Sequence, residues 1–256
     1  MLPAPGFHHL HLNSVDPDAA IDFYARQFPT SARASWGGLP ALASPNDVLV
    51  LFTRVATPPA TSPQTAIWHF GWHVTDTRAR LESYESRPDV RLLPLYTTEE
   101  GGSVFHPAER FNHVHLYQEE PFCAQLWYQT HLSAPVFRGR ASATPVTEST
   151  CKVPRGSERS WPALERQGMF RSPTAAVVFG DVALPWYMRQ GDRPLVSTRG
   201  HLYDHIALSV ADLDAWVAKL RSEGVRFLEK PYELGDSRAV MIEGPSREAL
   251  ELVEVA

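Results

Sequence analysis

Four histidines, His9, His69, His113 and His205, each open a short apolar segment that is followed by a turn and then a helical pattern. The copies read HLHLNSVDPDAAIDFY, HFGWHVTDTRARL, HVHLYQEEPFCAQLWY and HIALSVADLDAWVAKL, and they align without gaps at the strand and turn. In three of them an aspartate, Asp16, Asp76 or Asp212, stands at the same distance after the histidine. Register of this kind marks a repeated supersecondary unit. An imidazole at one structural place in every copy is a potential metal ligand, so the chemistry to look for is that of a bound divalent ion.

The elements that must position these side chains are clearest in the fourth copy. Residues 204–210 alternate with the period of two of a strand. Asp212 then caps a helix whose Leu213, Trp216, Val217 and Leu220 recur at helical spacing, and Gly224 ends it. Strands follow over 225–228, 238–242 and 249–255, which makes the unit βαβββ. The first copy repeats the plan, with strand 7–13, helix 18–27, a short strand 33–36 and a strand 48–55. Asp16 and Asp18 offer that helix a cap and a favourable charge at its amino terminus. The second copy, with a strand expected near 90–96, is too short to be complete, because His69 and His113 are only 44 positions apart. In the third copy the strand pair 175–179 and 182–188 comes after a long segment, 135–173, rich in Ser, Thr, Pro and Arg. Loops of that length are usually functional or mobile. It reads as an excursion covering a site, with a short helix near 161–167.

Bulk properties exclude several function classes. A chain of 256 residues with 43% apolar residues can bury one large core or two ordinary ones. A formal net charge of −5 with no basic stripe argues against a nucleic-acid partner. No apolar stretch is long enough to span a bilayer and the start MLPAPGFHHL lacks the pattern of a signal peptide, so a cytoplasmic protein without a membrane partner is expected. Cys123 and Cys151 are too few for a disulfide framework and fit a reducing compartment, and Cys123, at a helix position of the third copy, reads as a small buried thiol.

The segment DHIALSVADLDAWVAKLRSEGVRFLEKPYELGDSRAVMIEGPSREALELVE resembles a complete carboxy-terminal module of the vicinal oxygen chelate superfamily, which includes glyoxalase I, type I extradiol dioxygenases and bleomycin or fosfomycin resistance proteins. HHLHLNSVDPDAAIDFYARQF, with DVLVLFTRV and IWHFGWHV after it, resembles a first module running into a second. The resemblance implies an α+β fold in which tandem βαβββ modules form two half-open barrels, as in glyoxalase and the extradiol dioxygenases. It divides the chain into an amino-terminal barrel, 1–110, built from modules one and two, and a carboxy-terminal barrel, 111–256, built from modules three and four.

Ligands in that family sit on the first and last strands of each module. Carried over, they imply a metal site of His113, His205 and Glu251 in the second barrel. The aligned last-strand positions Val50 and Leu184 cannot bind a cation. His9 and His69 lack a carboxylate, so the first barrel is expected to be degenerate, with His11 lining it. Two imidazoles and one carboxylate suit Fe2+, and also Mn2+ or Zn2+. The chain departs from the extradiol pattern at Met241, which stands where those enzymes carry a tyrosine, and from glyoxalase I at Leu184. His115 and Tyr232 are the candidate replacements for the missing acid and base, and Tyr187 and Arg189 are candidates for binding a phenolic or anionic substrate group.

The expected activity is that of a metal-dependent enzyme acting on a small oxygen-rich or aromatic metabolite, an oxygenase ahead of a lyase or isomerase. The alternative is a non-catalytic protein that sequesters a small molecule. A homodimer is left open, because paired half-barrels in this family often meet across subunits.

Overall fold

The structure, a computed structural model, describes residues 2–92, 108–137, 146–153, 174–189 and 193–255. The first module comprises β1 (Gly6–Ser14), α1 (Pro17–Gln27), β2 (Ala32–Trp36), β3 (Leu39–Ala43) and β4 (Leu49–Arg54). The second contributes β5 (Ile67–His73) and α2 (Thr77–Glu85). The third comprises β6 (Arg110–Gln118), α3 (Pro121–Leu132), β7 (Thr174–Phe179) and β8 (Val182–Met188). The fourth comprises β9 (Tyr203–Val210), α4 (Leu213–Ser222), β10 (Tyr232–Leu234), β11 (Ser237–Glu243) and β12 (Ala249–Glu254). The helix expected near 161–167 lies outside the described residues, as does the strand expected near 90–96 from residue 93 onward.

The repeated aspartates are helix caps. Asp16, Asp76 and Asp212 accept from the backbone N–H of Ala19, Ala79 and Ala215 at 3.3, 2.9 and 2.8 Å, satisfying donors that a helix start leaves unpaired. In the third module Glu120 holds this place without such a bond, and α3 begins instead on Pro121, whose missing N–H needs no partner. Two strand expectations need correction. Gly37 and Gly38, both at positive φ, turn the chain into a β2–β3 hairpin, so the first module has a strand that alternation alone did not reveal. In the fourth module, Phe227 makes only an isolated bridge to Ile242; the edge strand is β10, which places Tyr232 on a strand rather than a loop.

The modules do not pair in chain order. One eight-stranded sheet runs β10-β11-β12-β9-β1-β4-β3-β2, joining the fourth module to the first through antiparallel β9 and β1. A four-stranded sheet, β5-β6-β8-β7, joins the second module to the third. A division at residue 110 therefore cuts both sheets. The middle modules pair with each other, and β1 and β9 are partners for one another. The four modules and the barrel-like α+β architecture stand as expected; the pairing is nested.

One contiguous core spans both sheets and the helices against them, with Leu10, Phe52, Trp216, Leu250, Phe111 and Trp186 among its buried members. The residues alternating with Leu10 and Leu12 on β1, namely His9, His11 and Asn13, thereby face the opposite way, into the curve of the larger sheet. Two equivalent hairpins lock the sheets together. Ser44 Oγ accepts from Phe111 N at 2.8 Å and Asn46 Nδ2 donates to Phe111 O at 3.1 Å, gripping the start of β6. At its other end the Glu248 carboxylate accepts from Gln118 Nε2 at 2.8 Å and from the Tyr128 hydroxyl at 2.9 Å.

Cys123, on α3, and Cys151 form a disulfide, correcting the reading of Cys123 as a buried thiol. The cysteine argument for a reducing compartment falls with it. Among the described residues no helix is long and apolar enough to cross a membrane. The bond closes a loop across a sequence separation of 28 residues, which on the chain-entropy model is worth about 3–4 kcal/mol. Thermal unfolding followed with and without a reductant should show the reduced protein melting at the lower temperature; coincident transitions would show that the bond contributes nothing.

Candidate metal centre

Each of the four histidine-led strands carries one extra residue immediately before its histidine. The antiparallel registers shift between Phe7 and His9 and between His11 and Leu12, where His8 and Asp204 are left unpaired. They shift again between Ile67 and His69 and between Gly71 and Trp72, leaving out Trp68 and Asn112. A bulge re-aims the side chain it leaves unpaired. Here it lets a residue that would face away from the histidine on a regular strand reach that ring. His8 Nδ1 lies 2.8 Å from His9 Nδ1, Asp204 Oδ1 lies 2.7 Å from His205 Nδ1, and Asn112 Oδ1 lies 2.8 Å from His113 Nδ1. With Nδ1 engaged, each of these rings turns its Nε2 inward.

In the larger sheet three inward-facing atoms converge. Glu251 Oε2, on β12, lies 3.3 Å from His9 Nε2 and 3.6 Å from His205 Nε2. All three residues are buried, and none of the three atoms has a hydrogen-bond partner. Buried polar atoms left without partners are costly, and their clustering points to something that binds them. Two metal bonds of about 2.0–2.2 Å at angles between a right angle and a tetrahedral one place ligand atoms about 2.8–3.6 Å apart, so the residues fit a divalent ion of the imidazole–carboxylate class.

The surrounding groups set the charges. Burial, then the neighbouring His205, His8 and His11, hold His9 well below its ordinary pKa, so it is a neutral donor. Burial likewise takes His11 to about 3, while its Nε2 lies 2.8 Å from Thr53 Oγ1. Burial would lower His205 too, but its bond to Asp204 and the nearby charges of Glu251 and Asp204 outweigh that and raise it. Glu251 is lifted by burial and pulled down further by His205 and by the hydroxyl of Tyr232, which donates to Oε1, leaving the carboxyl below its ordinary value.

Asp204 is itself over-determined. Besides His205 it accepts from Gly200 N at 2.7 Å, from Asn13 Nδ2 at 3.2 Å and from Arg199. A carboxylate behind a ligand histidine fixes the ring's tautomer and direction. Asp204→Asn should therefore lower divalent-metal affinity about 10–100-fold in a competition titration; an unchanged affinity would mean that His205 is held by packing alone.

The sequence-derived site divides between the two sheets. His205, Glu251 and Tyr232 stand together in the larger one. His113 does not join them: it lies on β6 with its Nε2 3.4 Å from that of His69, because the third module pairs with the second. There burial lowers His113 to about 4, and burial with the charge of His113 lowers His69 to about 3. His115 and Tyr187 belong to the same sheet, their rings 4.4 Å apart. Arg189 bonds Glu119 Oε2 at 2.5 Å and the Arg193 carbonyl at 3.0 Å, an anchoring role outside the candidate site. His9, assigned to a degenerate barrel, takes the place expected for His113. The last-strand alignment also moves by one residue. β4 pairs Leu51 with His11 as β12 pairs Glu251 with Ala207, so Leu51, not Val50, is the counterpart of Glu251. On β8 the parallel register puts Pro185 rather than Leu184 at that position. None of these four can bind a cation.

A cavity of about 600 Å3 opens onto the centre. His11, Asn13, Thr53, Arg199, Glu229 and Tyr232 give it a polar wall, and Leu39, Val55, Leu234 and Met241 an apolar one.

No curated protein sequence matches. Among solved structures, glyoxalase I from Zea mays superposes with a TM-score of 0.66 at 13% identity, covering 98% of this chain and 92% of that one. A Bacillus subtilis subsp. subtilis str. 168 protein described as a "putative dioxygenase" gives 0.59 at 11% identity, covering 99% and 86%. Likeness at such identities shows the fold, and the family model adds sequence evidence over β7 to β12. The resemblance read from the sequence stands: the described residues have the glyoxalase-type α+β fold, and residues 142–252 of the chain match the Glyoxalase/Bleomycin resistance protein/Dioxygenase superfamily.

Proposed function

We propose that this protein is a metal-dependent enzyme acting on a small oxygen-rich or aromatic molecule, with its centre at His9, His205 and Glu251 in the first–fourth module barrel. The observation that carries this reading is the convergence of His9 Nε2 and His205 Nε2 on Glu251 Oε2, at 3.3 and 3.6 Å, with all three atoms buried and without a hydrogen-bond partner. A cavity that merely sequestered a small molecule would have no use for it. The donor set suits Fe2+, Mn2+ or Zn2+. A divalent ion bound there supplies Lewis acidity toward two neighbouring substrate oxygens.

The chain's own residues do the rest. His8 and Asp204 hold the two imidazoles in the orientation that exposes Nε2. The Tyr232 hydroxyl donates to Glu251 Oε1, keeps the carboxylate turned and stands at the cavity wall, where its oxygen can accept from a substrate hydroxyl. The apolar wall of Leu39, Val55, Leu234 and Met241 accepts the carbon skeleton and excludes water. The reaction is an oxygenase or a lyase/isomerase conversion.

The test is whether oxygen chelators need the metal. Protein stripped with a chelator and reloaded separately with Fe2+, Mn2+ or Zn2+ should bind catechol or acetohydroxamate, while stripped protein should not. Equal binding by stripped and reloaded protein would make this a sequestering protein instead.

A further inference from the structure

The two halves of the larger barrel differ in a complementary way at the centre. On the fourth-module side the register neighbours are Ala207 and Glu251: a small residue on β9 leaves room for a ligating carboxylate on β12. On the first-module side they are His11 and Leu51, an imidazole on β1 beside an apolar residue on β4. The donor that Leu51 cannot supply is thus offered by its strand neighbour. Across the barrel His11 is the direct partner of His205, with ring centroids 4.4 Å apart. One nitrogen from each of His9, His11 and His205 lies within 4.8 Å of the others. His11 therefore lies close enough to the other two imidazoles to share an ion with them. His11 Nε2 lies 2.8 Å from Thr53 Oγ1, a contact that coordination through Nε2 would replace.

We infer that His11 is a fourth protein ligand, so that the centre is formed by three imidazoles and one carboxylate. This rests on the function proposed above and sharpens it. A six-coordinate ion held by three protein ligands keeps three positions, enough for a chelated substrate and dioxygen together. Held by four, it keeps two, which a substrate with two neighbouring oxygens fills. The substrate class is then a small hydroxycarbonyl or similar bidentate molecule, and the reaction is an isomerase or lyase conversion at a carbon next to the chelated oxygens, with no oxidant bound at the ion.

Co2+ is the probe, its affinity measured by competition with a chromophoric chelator and its geometry by the visible absorption spectrum. His11→Ala and His11→Gln should each lower Co2+ affinity at least about 100-fold, beyond the usual effect of losing a residue outside the coordination sphere, and should change the spectrum. Thr53→Val, which removes the competing partner and keeps the imidazole, should leave affinity equal or higher with the wild-type spectrum, and it controls for loss of folding. Co2+ binding by both His11 variants within about threefold of wild type and with an unchanged spectrum, while Glu251→Gln and His205→Gln lose the ion, would overturn the inference and leave the proposed function standing. A wild-type protein that binds no Co2+ would overturn both.

Discussion

Glu251→Gln lowers the affinity for a divalent ion by at least about 100-fold, about 2.8 kcal/mol, while the metal-free protein keeps its fold. The substitution preserves shape and an oxygen toward Tyr232 but removes the one negative charge that His9 and His205 share. A neutral amide in place of a carboxylate leaves the ion only neutral donors in a dry site, where the lost attraction is weakly screened. In the metal-free state His205 retains its carboxylate neighbour Asp204 at 2.7 Å, so unfolding should shift by no more than about 1–2 kcal/mol. Metal titration and thermal melts on the same samples separate the two effects. Undiminished affinity in the variant would remove Glu251 from the centre.

Glu248→Ala has the largest expected effect on stability. The side chain is fully buried and accepts three hydrogen bonds, from Gln118 Nε2 at 2.8 Å, Tyr128 Oη at 2.9 Å and Ser246 N at 2.8 Å. Truncation strands all three donors in a dry site, at a cost of about 3–5 kcal/mol. For domains of this size that corresponds to a melting temperature lower by about 6–20 °C. Burial pushes the Glu248 carboxyl above its ordinary pKa, so charge is disfavoured there and Glu248→Gln should cost clearly less than Glu248→Ala. Equal losses in the two variants would mean that charge, not hydrogen bonding, holds the sheets together. Because Glu248 stands three residues before Glu251, the same variant should also weaken metal binding by loosening β12.

What could be read in the chain depended on the range of the interaction. Asp16, Asp76 and Asp212 cap their helices locally, and a local pattern sufficed to find them. His205 and Glu251 belong to one module, so their juxtaposition followed from the unit itself. The partner histidine did not. His9 and His113 hold equivalent places on β1 and β6, and nothing within either strand says which of them faces β9; that is settled by the nested pairing of whole modules. The bulges before the histidines had no signature either, since the added residue is His8, Trp68, Asn112 or Asp204, with no common chemistry. They nevertheless decide what touches each ring. Cys123 and Cys151 are joined across a stretch whose path no periodicity describes.

The central claim is that the metal belongs to the first and fourth modules. A crystal of the protein grown with Co2+, and the anomalous difference map recorded at the cobalt absorption edge, tests it most directly. A strong peak is expected about 2.0–2.2 Å from His9 Nε2, His205 Nε2 and Glu251 Oε2. A strong peak beside His113 and His69 with none at these three atoms would contradict it.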